Sequence, residues 1–308
     1  MARFRAIIAF ALLLTWAGFA AARPDRLQVG RFLLVFGPAA RAEAEHVAEL
    51  VQPTLSGIER VLKQRFEGMI TLRVFNRRRA FDRAIHARAE ELILGEARTP
   101  SNEIYLDASG EFGSVLRILR HEVTHIVWGD ALGDHGRALC TTWLNEGVAK
   151  YLEDPRPGGG AASQDAVSSG NTIPIEQLDQ AFRRDETRSL AYAESESLVR
   201  FMVAQHGQGV LAKLIANLRA APDFEDALTK SISATSQELY QAWHRQVYRP
   251  SRFTFLLESS TLIWMLMTVL LLITVALFYR RKWRRQRVQQ ELEEIEEQFS
   301  ESEPPTIH

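Results

Sequence analysis

Residues 114–127 read Ser114-Val115-Leu116-Arg117-Ile118-Leu119-Arg120-His121-Glu122-Val123-Thr124-His125-Ile126-Val127. Val115, Leu116, Ile118, Leu119, Val123, Ile126 and Val127 supply the apolar faces of a helix, and Ser114 is placed to cap its start. Inside it lies H-E-x-x-H, from His121 to His125. Residues four apart on a helix stand one turn apart on one face. Two imidazoles at that spacing can bind one zinc ion, while Glu122 projects beside it as a general base. The plain alternative is two histidines that fall on a helix by accident, a rare coincidence in a chain with 8 His.

A catalytic zinc site takes three protein ligands and keeps one position open. The stretch Trp143-Leu144-Asn145-Glu146-Gly147-Val148-Ala149-Lys150-Tyr151-Leu152-Glu153 offers the third in Glu146. Glu146 follows His125 by 21 residues, room for a loop that lays a second helix against the first. Leu144, Val148 and Leu152 give that helix an apolar face, and Gly147 and Ala149 are small enough to let the two helices approach closely.

H-E-x-x-H followed by W-L-N-E-G-x-A-x-Y-x-E resembles the gluzincin metallopeptidases, in the version seen in zinc aminopeptidases and their smaller peptidase MA-like relatives. The resemblance spans residues 30 to 250, closely at 114–153 and loosely at 189–247. It implies one Zn2+ per chain held by His121, His125 and Glu146, with Glu122 taking a proton from the attacking water and passing it to the leaving amine. It places Asn145 and Glu153 where they would orient the ligand imidazoles; a surface carboxylate is the alternative for Glu153. Ala191 to Val199 resembles the Tyr-containing helix that follows the zinc site, which makes Tyr192 the donor to the developing oxyanion and His206 a second choice. Asn102 to Asp107 resembles the strand that borders the cleft. Ile104, Tyr105 and Leu106 would then either bind an extended peptide through an open edge or pack in the core. Cys140 reads as a small buried residue outside the ligand set. Gluzincin aminopeptidases also carry G-x-M-E-N ahead of the zinc motif, to grip a free amine. This chain has no such segment, which points to an endopeptidase or an enzyme for one dedicated protein substrate. Lys150 stands four residues after Glu146, where thermolysin-type relatives place an acid.

Around this centre the pattern is mixed first and helical afterwards. Phe32 to Phe36, Ile70 to Phe75 and Ile104 to Leu106 read as strands. Ala39 to Phe66 reads as a helix interrupted near Pro53. Arg79 to Glu96 reads as another, with Phe81, Ile85 and Leu92 on one face. After Ser114 the chain is almost entirely helical in pattern. The expected fold is α+β: a small N-terminal mixed α/β lobe with a short sheet, the zinc-site helices, a helical C-terminal lobe and one transmembrane helix.

The two ends lie outside that body. Residues 1–22 have a basic start, an apolar run and a small-x-small site before Arg23, the pattern of a cleaved export signal. Ser260 to Tyr279 is 20 residues without a charge, about 30 Å of helix. Arg280, Arg281, Lys282, Arg284, Arg285 and Arg287 follow it, and the positive-inside rule assigns them to the cytosol. The expected domains are a signal at 1–22, an exported body at 23–255, the span at 260–279 and a cytoplasmic tail at 280–308. The body would then be periplasmic or extracellular. Leu292, Ile295 and Phe299 in the tail are spaced for a short amphipathic helix, solvated or bound to a cytoplasmic partner.

Composition removes other classes. Lys+Arg number 37 against 38 Asp+Glu, leaving no basic excess for nucleic acid. One Cys excludes an intramolecular disulfide. The expected function is a single-pass zinc endopeptidase acting on a peptide or protein substrate. The alternatives are a non-catalytic binding or scaffold protein on the same fold, which has no need of Glu122, and a receptor that signals through its tail.

Overall fold

Every second residue of the strands at 32–36 and 70–75 is buried, and the strand register lines these residues up across the sheet. The computed structural model describes residues 24–86, 93–156, 167, 172–247 and 260–301; the expected export signal lies outside them. Strands β1 (Asp25–Val29), β2 (Phe32–Phe36), β3 (Ile70–Phe75), β4 (Gly95–Arg98) and β5 (Glu103–Asp107) form one sheet in the order β1-β2-β3-β5-β4. β2, β3 and β5 are parallel, and β1 and β4 pair antiparallel at the two margins. Leu34 pairs with Leu72 and Leu72 with Ile104; Phe36, Val74 and Leu106 form the next apolar rung. The β1–β2 hairpin turns through Gly30, whose φ of +54° suits a residue without a Cβ.

Two long helices pack with those rungs in one core. Helix α1 (Arg41–Leu62) buries Ala44, Val47, Val51, Leu55, Ile58 and Leu62, the three- and four-residue spacing of one face. The expected break at Pro53 does not occur. Pro53 lies on the exposed side, where water can satisfy the carbonyl left without its N–H partner. Helix α3 (Phe112–Leu139) carries His121 and His125; Glu111, rather than Ser114, stands at its N-cap. Gly133 breaks the helix near its end with φ +64°.

Phe81 and Ile85 of the short helix α2 (Arg78–Ile85) form a separate cluster with Tyr105, against which Phe75 packs. This helix is shorter than the Arg79 to Glu96 pattern suggests. His86 takes φ +56° and its N–H closes onto the Asp82 carbonyl, while 95–98 becomes strand β4. Leu92 lies outside the described residues.

The helical part follows the first core. It comprises α4 (Thr142–Glu153), α5 (Ile175–Ala181), α6 (Asp185–His206), α7 (Val210–Leu218), α8 (Phe224–Ile232) and α9 (Ser236–Val247). Helix α4 packs between α3 and α6. A Cβ on Gly147 would lie 2.6 Å from the Ser195 carbonyl oxygen, so this glycine sets the α4–α6 approach rather than the α3–α4 approach. The chain thus combines a five-stranded sheet with a mostly helical remainder in an α+β fold.

The chain divides into two compact units, Met1–Tyr248 and Arg249–His308. The second contains α10 (Ser260–Glu301), one helix of 42 residues. Its segment Trp264–Arg285, 22 residues, is long and apolar enough to cross a membrane, and its apolar side chains are exposed.

One buried group ties folding to pH. Glu194 of α6 is fully buried; its Oε1 accepts the Ile173 N–H at 2.8 Å, and its Oε2 has no hydrogen bond among the described residues. Burial pushes this carboxyl up from 4.5 to about 8, against the opposing effect of the Ile173 N–H. A raised carboxyl pKa contributes stability that is complete below the unfolded value and is lost as pH rises through the folded one. The thermal midpoint is therefore expected to fall between about pH 5 and pH 8, and Glu194→Gln to flatten that fall. An unaltered pH profile in Glu194→Gln would contradict this assignment.

Candidate metal centre and cleft

Helix geometry brings His121 and His125 together one turn apart on α3, with ring centroids 4.8 Å apart. Glu146 reaches them from α4. The His121 Nε2 to His125 Nε2 distance is 3.1 Å, and Glu146 Oε2 lies 3.3 Å from the first and 3.6 Å from the second. These three residues form the one group among the described residues whose ligand atoms converge as a metal requires.

The chemistry of the donors fits a small divalent ion. Glu153 Oε1 lies 2.9 Å from His121 Nδ1 and Asn145 Oδ1 lies 3.3 Å from His125 Nδ1. An ionised carboxylate only accepts hydrogen bonds, so it fixes the proton on Nδ1 of His121 and leaves Nε2 with its lone pair facing inward; the Asn145 carbonyl oxygen does the same for His125. Glu146 Oε2 is buried without a hydrogen bond of its own. Tetrahedral ligands about 2.0–2.1 Å from a shared ion stand roughly 3.3–3.4 Å apart, close to the spacings found here. The charges are arranged to match. Burial alone would lower the His121 pKa, but the Glu146, Glu153 and Glu122 carboxylates around it outweigh that and hold the imidazole well above its ordinary range. Burial alone would raise Glu146, but the neighbouring His121 and His125 imidazoles outweigh it and hold its carboxyl well below the ordinary range.

Several contacts hold α4 in register with α3. Arg120 Nη1 donates to the Glu153 carbonyl at 3.0 Å, and Lys150 Nζ lies 2.9 Å from the Glu153 carboxylate. Asp179 of α5 accepts the Thr142 N–H at 3.1 Å and the Trp143 N–H at 2.8 Å, satisfying two amides that open α4. Neither Arg120 nor Asp179 is marked by a sequence motif. Their roles follow from tertiary contacts.

Glu122 is 6% exposed. Burial, opposed by the nearby His121 and His125, holds its carboxyl above the ordinary range. Strand β4 passes directly over it. A Cβ on Gly95 would lie 2.7 Å from Glu122 Oε1 and 2.6 Å from Ile118 Cγ2, so only glycine permits this approach. A second glycine repeats the device, because a Cβ on Gly129 of α3 would lie 2.3 Å from Thr99 Cγ2, just past the end of β4.

The strand expected at the cleft edge is corrected by this arrangement. β5 is paired on both sides, with β3 and with β4, and Ile104, Tyr105 and Leu106 are buried. The margin of the sheet is β4, whose Gly95 and Ala97 line a pocket of about 250 Å³ together with His121, Glu122, His125, Asn145, Glu146 and Tyr192. Gly95-Glu96-Ala97-Arg98 has no β-branched or aromatic residue, which is why its pattern does not announce a strand.

Tyr192 of α6 stands in the same cleft. Its ring is centred 6.5 Å from His121 and packs edge-on against Phe182 at 5.0 Å. Burial first, and then the negative charges of Glu146 and Glu122, raise its pKa, so the hydroxyl keeps its proton and remains a donor. His206 ends α6 and is exposed. Cys140, at the end of α3, is outside the converging group, and burial pushes its thiol up to about 12.

Comparison with known proteins agrees with this geometry at the level of the family. No curated protein sequence matches the chain. The profile of the Peptidase MA superfamily matches residues 65–249, more than half of the chain, from β3 through the converging His and Glu residues to the end of α9. The chain belongs to the Peptidase MA superfamily.

Proposed function

We propose that the chain is a membrane-anchored zinc endopeptidase with its body outside the cytosol. The observation that carries this reading is the meeting of His121, His125 and Glu146 with Glu122 and Tyr192 in one cleft. His121, His125 and Glu146 would hold one Zn2+, and Asn145 and Glu153 would keep both imidazoles turned toward it. When bound, the ion supplies Lewis-acid chemistry, polarising the peptide carbonyl and acidifying water. Glu122 accepts the proton of the attacking water at a carboxylate oxygen and returns it to the departing amine. The Tyr192 hydroxyl donates a hydrogen bond to the carbonyl oxygen as negative charge gathers there. The outer edge of β4 aligns an extended peptide through main-chain hydrogen bonds, which favours cleavage within a chain.

For the rest of the molecule we infer a cleaved signal at 1–22 and an exported body at 23–255. The span at 260–279 would carry the cationic run from Arg280 to Arg287 into the cytosol. The tail at 280–308 then remains available to a cytoplasmic partner.

Four results are expected. The full-length chain in detergent should contain about one zinc per chain by elemental analysis, and alanine at His121, His125 or Glu146 should remove most of it. Full zinc in Glu146→Ala would mean that another residue is the third ligand. In peptide hydrolysis, Glu122→Gln should keep the metal and lower kcat by about 10²–10⁴. Tyr192→Phe should lower kcat by about 10²–10³ with little change in KM, because its bond forms mainly in the transition state. Undiminished turnover in Glu122→Gln would remove Glu122 as the general base, and a zinc-loaded unaltered chain that hydrolyses no peptide would favour a binding protein with a retained metal. Protease added outside the cytoplasmic membrane should digest the body and spare the segment after Arg280; the opposite pattern would reverse the orientation.

A further inference from the structure

We propose that the cleft selects a ligand with a carboxylate close to the bond being cut, read by Arg117, Lys150 and Arg188. This rests on the peptidase reading for what the ligand is, and it concerns residues that reading does not use.

A cleft of about 770 Å³ is lined by His121, Glu122 and Tyr192 and also by three cationic side chains from three different helices. Each cation stands one helical turn from a residue of the centre. Arg117 precedes His121 by four residues on α3, Lys150 follows Glu146 by four on α4, and Arg188 precedes Tyr192 by four on α6. Residues four apart share a helix face, so the packing that gathers His121, Glu146 and Tyr192 also gathers these cations around a second zone of the same cleft.

Of the three carboxylates that line this cleft, Glu122 belongs to the centre and the other two are committed or weakly coupled. Glu153 is occupied by His121 Nδ1 and by Lys150 Nζ, each at 2.9 Å. Asp185 lies 2.8 Å from Arg188 Nη2, but its side chain is 84% exposed, so water screens the pair. The Nε of Arg188 donates to the Phe182 carbonyl at 3.0 Å, which fixes the base of the guanidinium and leaves Nη1 to point elsewhere. Arg117 is exposed and has no ion pair among the described residues. The Arg117 fork, the remaining Arg188 donors and the remaining Lys150 N–H groups are therefore available to one more anion. A carboxylate satisfies such donors with charge-assisted hydrogen bonds, whereas a Lys or Arg side chain would meet like charge. Leu94 and Ile118 line the same cleft and can cover the methylenes of an acidic side chain. The carboxylate can be an Asp or Glu side chain or the C-terminus of a peptide.

The test is equilibrium binding to the zinc-loaded full chain carrying Glu122→Gln, which leaves bound peptides intact. The probes are labelled hexapeptides in which one Glu or its Gln counterpart is moved through each position, all amidated, plus the all-Gln peptide as free acid and as amide. A Glu peptide at one position is expected to bind at least about tenfold more tightly than its Gln counterpart. If instead the free acid outbinds the amide by that margin, the source is the C-terminus. Adding Arg117→Gln, which changes an exposed side chain, should reduce the preference several-fold, and adding Arg188→Gln should bring it to within about twofold. Zinc content and the thermal midpoint check that the variants are folded. The proposal is overturned if no peptide binds, if neither Glu over Gln nor acid over amide is preferred, or if the preference survives Arg117→Gln unchanged. Failure of the peptidase reading looks different: a chain with Glu122 intact would bind the acidic peptide with this preference and never cleave it.

Discussion

The centre depends on repulsion that has to be overcome. Two imidazole nitrogens and a carboxylate oxygen stand 3.1–3.6 Å apart in a half-buried space, each with electron pairs turned toward the others. Without a proton or a cation among them they would separate, because each is a hydrogen-bond acceptor facing an acceptor. What holds them is spread over the fold. Glu153 and Asn145 turn the rings, Arg120 ties α3 to the end of α4, Asp179 anchors the start of α4, and Gly147 lets α6 press on α4 from behind. The sheet supplies a rigid bed of apolar rungs, and α3 packs in the same core.

The same packing places the three cations beside the centre in one cleft. Helices α3, α4 and α6 each present a stripe of residues at four-residue spacing. On every one of them a residue of the centre and a cation one turn away fall on the same stripe: His121 with Arg117, Glu146 with Lys150, Tyr192 with Arg188. The position four after Glu146 is basic here, and the acid that supports His121 stands three residues further along, at Glu153, where it is also bound by Lys150. A substitution at Lys150 therefore touches both the ring orientation of His121 and the charge of the cleft.

Much of this was legible in the sequence wherever a local pattern carried it. H-E-x-x-H and the N-E-G helix are local motifs, and the structure brings their three donor residues together. The branched strands β2, β3 and β5 announce themselves by composition, as does the apolar segment of α10. The α+β order followed from the same patterns. The edge strand did not show, because Gly95 to Arg98 is recruited by the open side of β5 and by the space left at Gly95 and Gly129, not by its own propensity. Reading β5 as the edge placed Ile104, Tyr105 and Leu106 at the cleft, one strand too far in. Asp179 is a carboxylate on a short helix until α4 is laid across it, and Pro53 looks like a break until its exposed side is known. Each miss is a case of tertiary context deciding what local preference left open.

The central claim is that two imidazoles and one carboxylate hold zinc in a site with room for one further oxygen. Zinc K-edge X-ray absorption on the full-length chain, loaded with one equivalent of metal, measures this directly. The account predicts a four-coordinate shell with two imidazole nitrogens and two oxygens near 2.0–2.1 Å, roughly the values of catalytic zinc sites. A sulfur scatterer near about 2.3 Å, or a six-oxygen shell without imidazole, would contradict it.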